Sequence, residues 1–242
     1  ALFEEPENLL KQEVREPSLY NAIISAIATG ASKLSEISTK VGENSSTCTA
    51  YLKNLISLGL VRRETPYGEK NSKKTIYTVE DNMFRFWYRF IPDNASLIVR
   101  GASDLAYQRI RPQLSDYMGK IFEDICTQYL WQLLLNGKSP VFFKELGRWW
   151  GTDPATHAQT EIDIMGEQDK NTALFCECKW TNDLVDSGVL ELLVHRSQLF
   201  HYNSTHLFLF SKNGFTSGCT EMAEKLGNVT LVSYSDIYGS CQ

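Results

Sequence analysis

The sequence predicts an α/β protein (α+β overall), in which a small helical domain with a β-hairpin precedes a larger mixed-sheet domain. Three observations carry that expectation. Apolar residues recur at helical spacing between glycine stops over residues 18–60. The periodicity turns strand-like beyond residue 137, and from there strands and helices alternate as far as residue 232. A chain of 242 residues holds two modest domains, and 43% hydrophobic with 22% charged residues is ordinary for a globular protein.

Ser18 is placed to cap a first helix whose apolar positions Leu19, Ala22, Ile23, Ala26 and Ile27 run to Gly30. Lys33 to Val41 reads as a short second helix ended by Gly42. Asn44 or Ser45 caps a third, with Leu52, Leu55 and Ile56 on its apolar side and Gly59 beyond it. Two β-capable runs, Leu60 to Glu64 and Lys73 to Val79, flank a turn rich in Pro, Gly, Asn and Ser. Three helices and a hairpin make the winged helix-turn-helix arrangement, expected over 18–80, whose third helix enters the major groove.

The aromatic run from Asp81 to Ile91 reads as a helix that packs rather than one that stacks bases. It opens a helical connector, 81–112, that Pro112 is expected to break. A long amphipathic helix follows over 113–136. Strands are expected at Val141–Phe143, at Glu161–Met165 and at Thr172–Trp180, then a helix from Val185 to about Tyr202, a strand at His206–Phe210, a helix at Thr220–Leu226 and a strand at Val229–Val232. Residues 113–242 thus form one sheet domain.

The six cysteines and four histidines lack metal-ligand spacing, so the thiols are read as free and the protein as cytoplasmic. No apolar run reaches the ~20 residues that span a bilayer, which excludes a membrane partner.

The chemistry concentrates at Asp163 and at Glu177-Cys178-Lys179. Two residues apart on a strand, Glu177 and Lys179 share a face, while Cys176 and Cys178 point away. Pairing with the preceding strand brings Asp163 beside Glu177. Two carboxylates at one strand edge suit a hard cation, Mg²⁺ (or Mn²⁺), which would polarise a phosphodiester and activate water. Lys179 would orient that water or offset developing charge. Glu123, on the preceding helix, offers a further carboxylate, an ordinary exposed glutamate being the alternative. The chain holds no other [DE]xK triplet; a charged pair on an open sheet face is the bland reading of this one.

The segment Glu161-Ile162-Asp163-Ile164 … Glu177-Cys178-Lys179-Trp180, preceded by Gly147-Arg148-Trp149-Trp150, resembles the PD-(D/E)XK restriction-endonuclease-like superfamily. More narrowly, the chain resembles the C-terminal region of archaeal and bacterial AAA-type P-loop ATPases, a domain family described as of unknown function. Leu2 to Leu10 resembles the end of the ATPase module, which assigns 1–17 to its tail, and Pro17 to Val61 resembles its winged helix. The resemblance implies a restriction-endonuclease-like fold for 113–242, metal and catalytic roles for Asp163, Glu177 and Lys179, the helix carboxylate role for Glu123, and an N-terminal P-loop ATPase on the same full-length chain. Ile162 stands where the superfamily has proline. No GxxxxGK[ST] is present, so ATP binding is not expected within these residues.

Charge locates the expected DNA contact. Residues 11–80 carry ten Lys/Arg against seven Asp/Glu, a net of +3, whereas 81–242 carry a net of −5. Arg62, Arg63, Lys70, Lys73 and Lys74 give the hairpin its positive charge. Ser46, Thr47, Thr49 and Lys53 of the third helix are candidate contacts, and the absence of arginine there implies weak base specificity. A winged helix used for protein contact is the alternative. Lys144, Arg148, Arg196 and Lys212 are candidate cations for the acidic second domain's cleft. The reading is a metal-dependent DNA nuclease module of an ATPase, against a catalytically inactive regulatory module or a DNA-binding regulator.

Overall fold

A computed structural model describes residues 17–69 and 73–239. The chain is mixed α/β and divides into two compact units. The described parts of Ala1–Thr65 and Asn71–Pro112 form one; those of Pro66–Lys70 and Gln113–Gln242 form the other.

In the first unit, helices α1 (Pro17–Ala28), α2 (Leu34–Val41) and α3 (Ser45–Ser57) precede an antiparallel hairpin of β1 (Val61–Glu64) and β2 (Ile76–Val79), registered Val61 to Val79. Asn44 caps α3 by accepting the Thr47 N–H at 2.8 Å. Gly42 ends α2 in the left-handed region at φ 79°, its N–H returning to the Ser38 carbonyl. Ser18 is not a cap: it lies within α1, which the described residues show from Pro17 onward. Ile23, Ile24, Ile37, Leu52, Leu55 and Val79 form the core. Helix α4 (Asn82–Phe90), capped by Asp81, seals it with Phe84, Trp87 and Tyr88, so the aromatic run packs inward. A short turn and α5 (Ala95–Val99) lead to α6 (Ser103–Leu135).

Pro112 does not break this helix. It lies inside α6, a single helix of 33 residues. Pro112 and Gln108, the residue whose carbonyl loses its helical donor, are both exposed, so water replaces the missing bond.

The second unit is built on a five-stranded sheet in the order β3 (Gly147–Thr152), β4 (Gln159–Glu167), β5 (Thr172–Lys179), β6 (Ser204–Ser211), β7 (Val229–Ser233). The first two pairings are antiparallel and the last two parallel. β5 is buried on both sides, and its side chains alternate between two cores. Leu174 and Cys176 join Phe122, Cys126 and Leu130 of α6, with Ile237 of α9 (Tyr234–Gly239). Ala173 and Phe175 join Leu190 and Leu193 of α7 (Ser187–Ser197), with Cys219 and Ala223 of α8 (Ser217–Leu226). α7 is shorter than the periodicity suggested, stopping at Ser197.

Val141–Phe143 is not a strand. Val141 and Phe143 are buried and Phe142 is exposed, which reproduces strand alternation, yet Phe142 N–H donates to the Gln168 side chain at 3.1 Å. Alternation reports burial, and here no neighbouring strand supplies a ladder. The strand lies four residues on, at Gly147–Thr152. Tyr67 of the Pro66–Lys70 segment lies along it: its N–H donates to Arg148 O at 2.8 Å, and its hydroxyl accepts the Glu167 N–H at 3.1 Å. Gly147 permits this approach, since a Cβ there would stand 3.0 Å from the Tyr67 ring.

Phe122 is fully buried between α6 and the sheet, with the Trp180 ring centroid 5.3 Å away. Phe122→Ala is therefore expected to lower stability by about 3–5 kcal/mol in urea unfolding, whereas Phe142→Ala, at 59% exposure, should change it by less than about 0.5 kcal/mol.

Candidate functional site

The site forms where β4 and β5 part. Their ladder is regular from Glu167–Ala173 to Ile164–Cys176, and one further step in that register sets Asp163 across from Glu177. On its other edge β4 is irregular: Gly147 pairs with Met165, but Trp149 pairs with Ile162, so β4 holds one extra residue at Asp163–Ile164. This bulge puts Ile162 and Ile164 in opposite cores and turns Asp163 out of simple alternation. Its carboxylate then accepts the Cys178 N–H at 2.8 Å. β5 stays paired to β6 through Lys179, which fixes Glu177 and Lys179 in place.

Glu177 is 3% exposed. Lys179 Nζ donates to its Oε1 at 2.6 Å, and Arg196 Nη1, from α7, donates to its Oε2 at 2.7 Å. Burial would lower the Lys179 pKa, but the charge and hydrogen bond of Glu177, with Asp163 behind them, hold it above its ordinary value. Burial, then the negative charges of Glu177 and Glu123, push Asp163 up to about 7, against the pull of the Cys178 N–H and Lys179.

Arg148 of β3 belongs to the same charge cluster. It pairs with Glu161, and although burial opposes ionisation, Glu123, Glu161 and Asp163 raise its pKa. Glu123 itself accepts from Lys120 at 2.6 Å one turn away on α6. Lys120, Glu123, Arg148, Glu161 and Trp180 line a groove of about 400 Å³. The structure thus brings Asp163, Glu177 and Lys179 together, with Glu123 within electrostatic reach but partnered by Lys120. Lys212 stacks its ammonium on the Trp180 ring at 5.0 Å.

Among the described residues no three His, Cys, Asp or Glu side chains are grouped to hold a metal. Asp163 and Glu177, hard oxygen donors set across from each other by the strand register, are the residues that could hold a Mg²⁺ ion. Arg148 and Arg196, named from sequence only as cleft cations, are the residues whose placement composition left open. Helical spacing puts Arg196 within one turn of the buried Leu193, on the side of α7 that meets the sheet.

In the first unit, Ser46 and Lys53 are exposed on α3, while Thr47 and Thr49 are half-buried. Ser46 donates to the Asn44 side chain at 2.5 Å and Thr49 to the Ser45 carbonyl at 2.7 Å. Arg62 is held by Glu64 at 3.0 Å and Glu80 at 3.3 Å. Arg63 donates to Thr75 at 3.4 Å, and Lys73 and Lys74 are exposed. Lys70 lies outside the described residues.

Residues 87–191 match the model of a family, DUF234, described as archaeal and bacterial proteins of unknown function. The chain is 37% identical over 190 residues to an uncharacterized protein of Methanocaldococcus jannaschii; the match takes in 78% of this chain and 41% of that protein. It therefore spans less than half the length of this relative. A solved O-methyltransferase from neocarzinostatin biosynthesis, in complex with S-adenosyl-L-homocysteine, aligns with 89% of the chain and 64% of its own at 13% identity and a TM-score of 0.23, a likeness that carries no argument. Among the described residues no helix is long and apolar enough to cross a membrane.

Because the raised Asp163 pKa favours the neutral acid in the folded state, the stability it gives is full below the unfolded value near 4 and lost as pH rises through about 7. Asp163→Asn keeps an oxygen for the Cys178 N–H without the charge. In chelator it should exceed the wild type at pH 8 by at least about 1 kcal/mol, with the gap closing toward pH 5. Thermal melts at both pH values check this, and a gap independent of pH would sink the charge argument.

Proposed function

We propose that this chain is the DNA-handling part of a P-loop ATPase: a winged helix-turn-helix over 18–80 holds duplex DNA, and a PD-(D/E)XK restriction-endonuclease-like domain over 113–242 hydrolyses phosphodiesters with Mg²⁺ or Mn²⁺. The observation that carries the reading is the meeting of Asp163, Glu177 and Lys179 at the bulge, on a buried strand end. Asp163 and Glu177 would hold the metal ion, which would supply polarisation of the scissile phosphate and a water of lowered pKa.

The residues of the chain do the rest. Asp163 and Glu177 would be the metal's oxygen ligands. Lys179, kept protonated by its carboxylate neighbours, holds a phosphate oxygen or the attacking water by hydrogen bonding. Arg148, at the same cluster, offers a planar donor to the strand's phosphates. Ser46, Thr47, Thr49 and Lys53 of α3 and Arg63, Lys70, Lys73 and Lys74 of the wing supply phosphate contacts, with Arg62 the weaker contributor because two glutamates share it. The ATPase assignment draws support from the resemblance of the opening residues and from a relative much longer than this chain. The net charge of −5 over residues 81–242 and the cations already on Glu177 favour a second reading, a non-catalytic regulatory module of the same ATPase.

Glu177→Ala and Lys179→Ala should each reduce Mg²⁺-dependent DNA cleavage by at least about 10²-fold while leaving DNA retention in a gel unchanged. Cleavage that survives both changes rules out this site. Arg63→Ala and Lys73→Ala should weaken duplex binding uniformly across sequences, each reducing the slope of log affinity against log salt by about 1.

A further inference from the structure

We propose that Arg196 is a built-in counterion that competes with a divalent cation for Glu177, so that metal entry displaces it and a phosphodiester that captures the freed guanidinium strengthens metal binding. The inference rests on the metal-site reading above and concerns how that site is filled.

The two cations on Glu177 differ in origin. Lys179 lies two residues along the same strand and touches Oε1, so β5 itself fixes that pair. Arg196 reaches Oε2 from α7, a separate layer, and its side chain is 14% exposed. Both carboxylate oxygens already accept a cationic donor, so a metal ion drawing on Oε2 competes with Arg196 for the charge of that oxygen.

Only part of the Arg196 guanidinium is used. Nη1 meets Glu177, but the buried Nε has no hydrogen-bond partner. An arginine whose fork is only partly used has donors to spare for a planar oxyanion. Once displaced, it becomes a largely buried cation without a counterion, which burial disfavours. A phosphodiester at the metal supplies two oxygens in the geometry the guanidinium prefers. Metal and phosphate therefore bind with positive, reciprocal coupling through one side chain. Lys179, tied to the strand, stays on Oε1 throughout.

The test is Mn²⁺ binding by calorimetry to the 242-residue chain at pH 8, as wild type, Arg196→Gln and Arg196→Lys. The Gln variant should bind Mn²⁺ at least about tenfold more tightly than the wild type, and the Lys variant within about threefold of it, because the charge is retained. Dimethyl phosphate, a diester with little affinity for free Mn²⁺, should tighten Mn²⁺ binding to the wild type at least about fivefold and have no such effect on Arg196→Gln. The wild-type arm needs no variant to fold. Mn²⁺ binding that the Gln variant does not improve and the diester does not strengthen overturns the counterion role and leaves the metal site standing. Absence of Mn²⁺ binding in all three proteins overturns both readings.

Discussion

The second unit depends on accommodating one carboxylate where water hardly reaches. Glu177 stands near the end of a strand whose other side chains fill two hydrophobic cores, and desolvating an isolated carboxylate there would cost several kcal/mol. Its surroundings are arranged to meet that cost. Lys179 comes from the strand, Arg196 from the helix packed on it, and Asp163 gives up part of its own ionisation to stand nearby. The arrangement has little slack, because removing either cation leaves Glu177 with one partner, and adding negative charge raises Asp163 further. Perturbed groups of this kind occur both in structural ion-pair networks and where groups are poised for chemistry.

Elements with strong local punctuation were legible in the sequence. Asn44 and Gly59 bracket α3, and the alternating leucine and phenylalanine run of β6 had few other uses. Legibility failed where one signal has two physical origins. Val141 and Phe143 alternate with Phe142 in burial without belonging to a sheet, and Pro112 reads as a stop although a solvated helix surface tolerates it. The site divides in the same way. Asp163, Glu177 and Lys179 follow from strand spacing, whereas Arg196 meets Glu177 across 19 residues through the packing of a helix face, which spacing does not encode. Nor does any residue between Ile162 and Met165 announce a bulge.

The first unit shows how net charge overstates available charge. Its excess of basic residues gathers at the hairpin, yet Arg62 is committed to two glutamates and Arg63 reaches a threonine. Asn54 and Tyr51 are drawn into contact with Tyr20, one by a hydrogen bond of 2.7 Å and the other by ring packing at 4.5 Å. The polar surface left on α3 is small and consists of hydroxyls and one lysine.

The extra residue in β4 has an evolutionary consequence. Because it separates the phase of residues 159–162 from that of 164–167, the outer and inner halves of the strand choose their buried faces independently. An insertion or deletion on the outer side of Asp163 is absorbed at an edge strand without disturbing the carboxylate pair, while one on the inner side exchanges the two cores. Divergence among related chains should accordingly accumulate in β3 and the start of β4, leaving the interval from Asp163 to Lys179 as the rigid ruler of the domain.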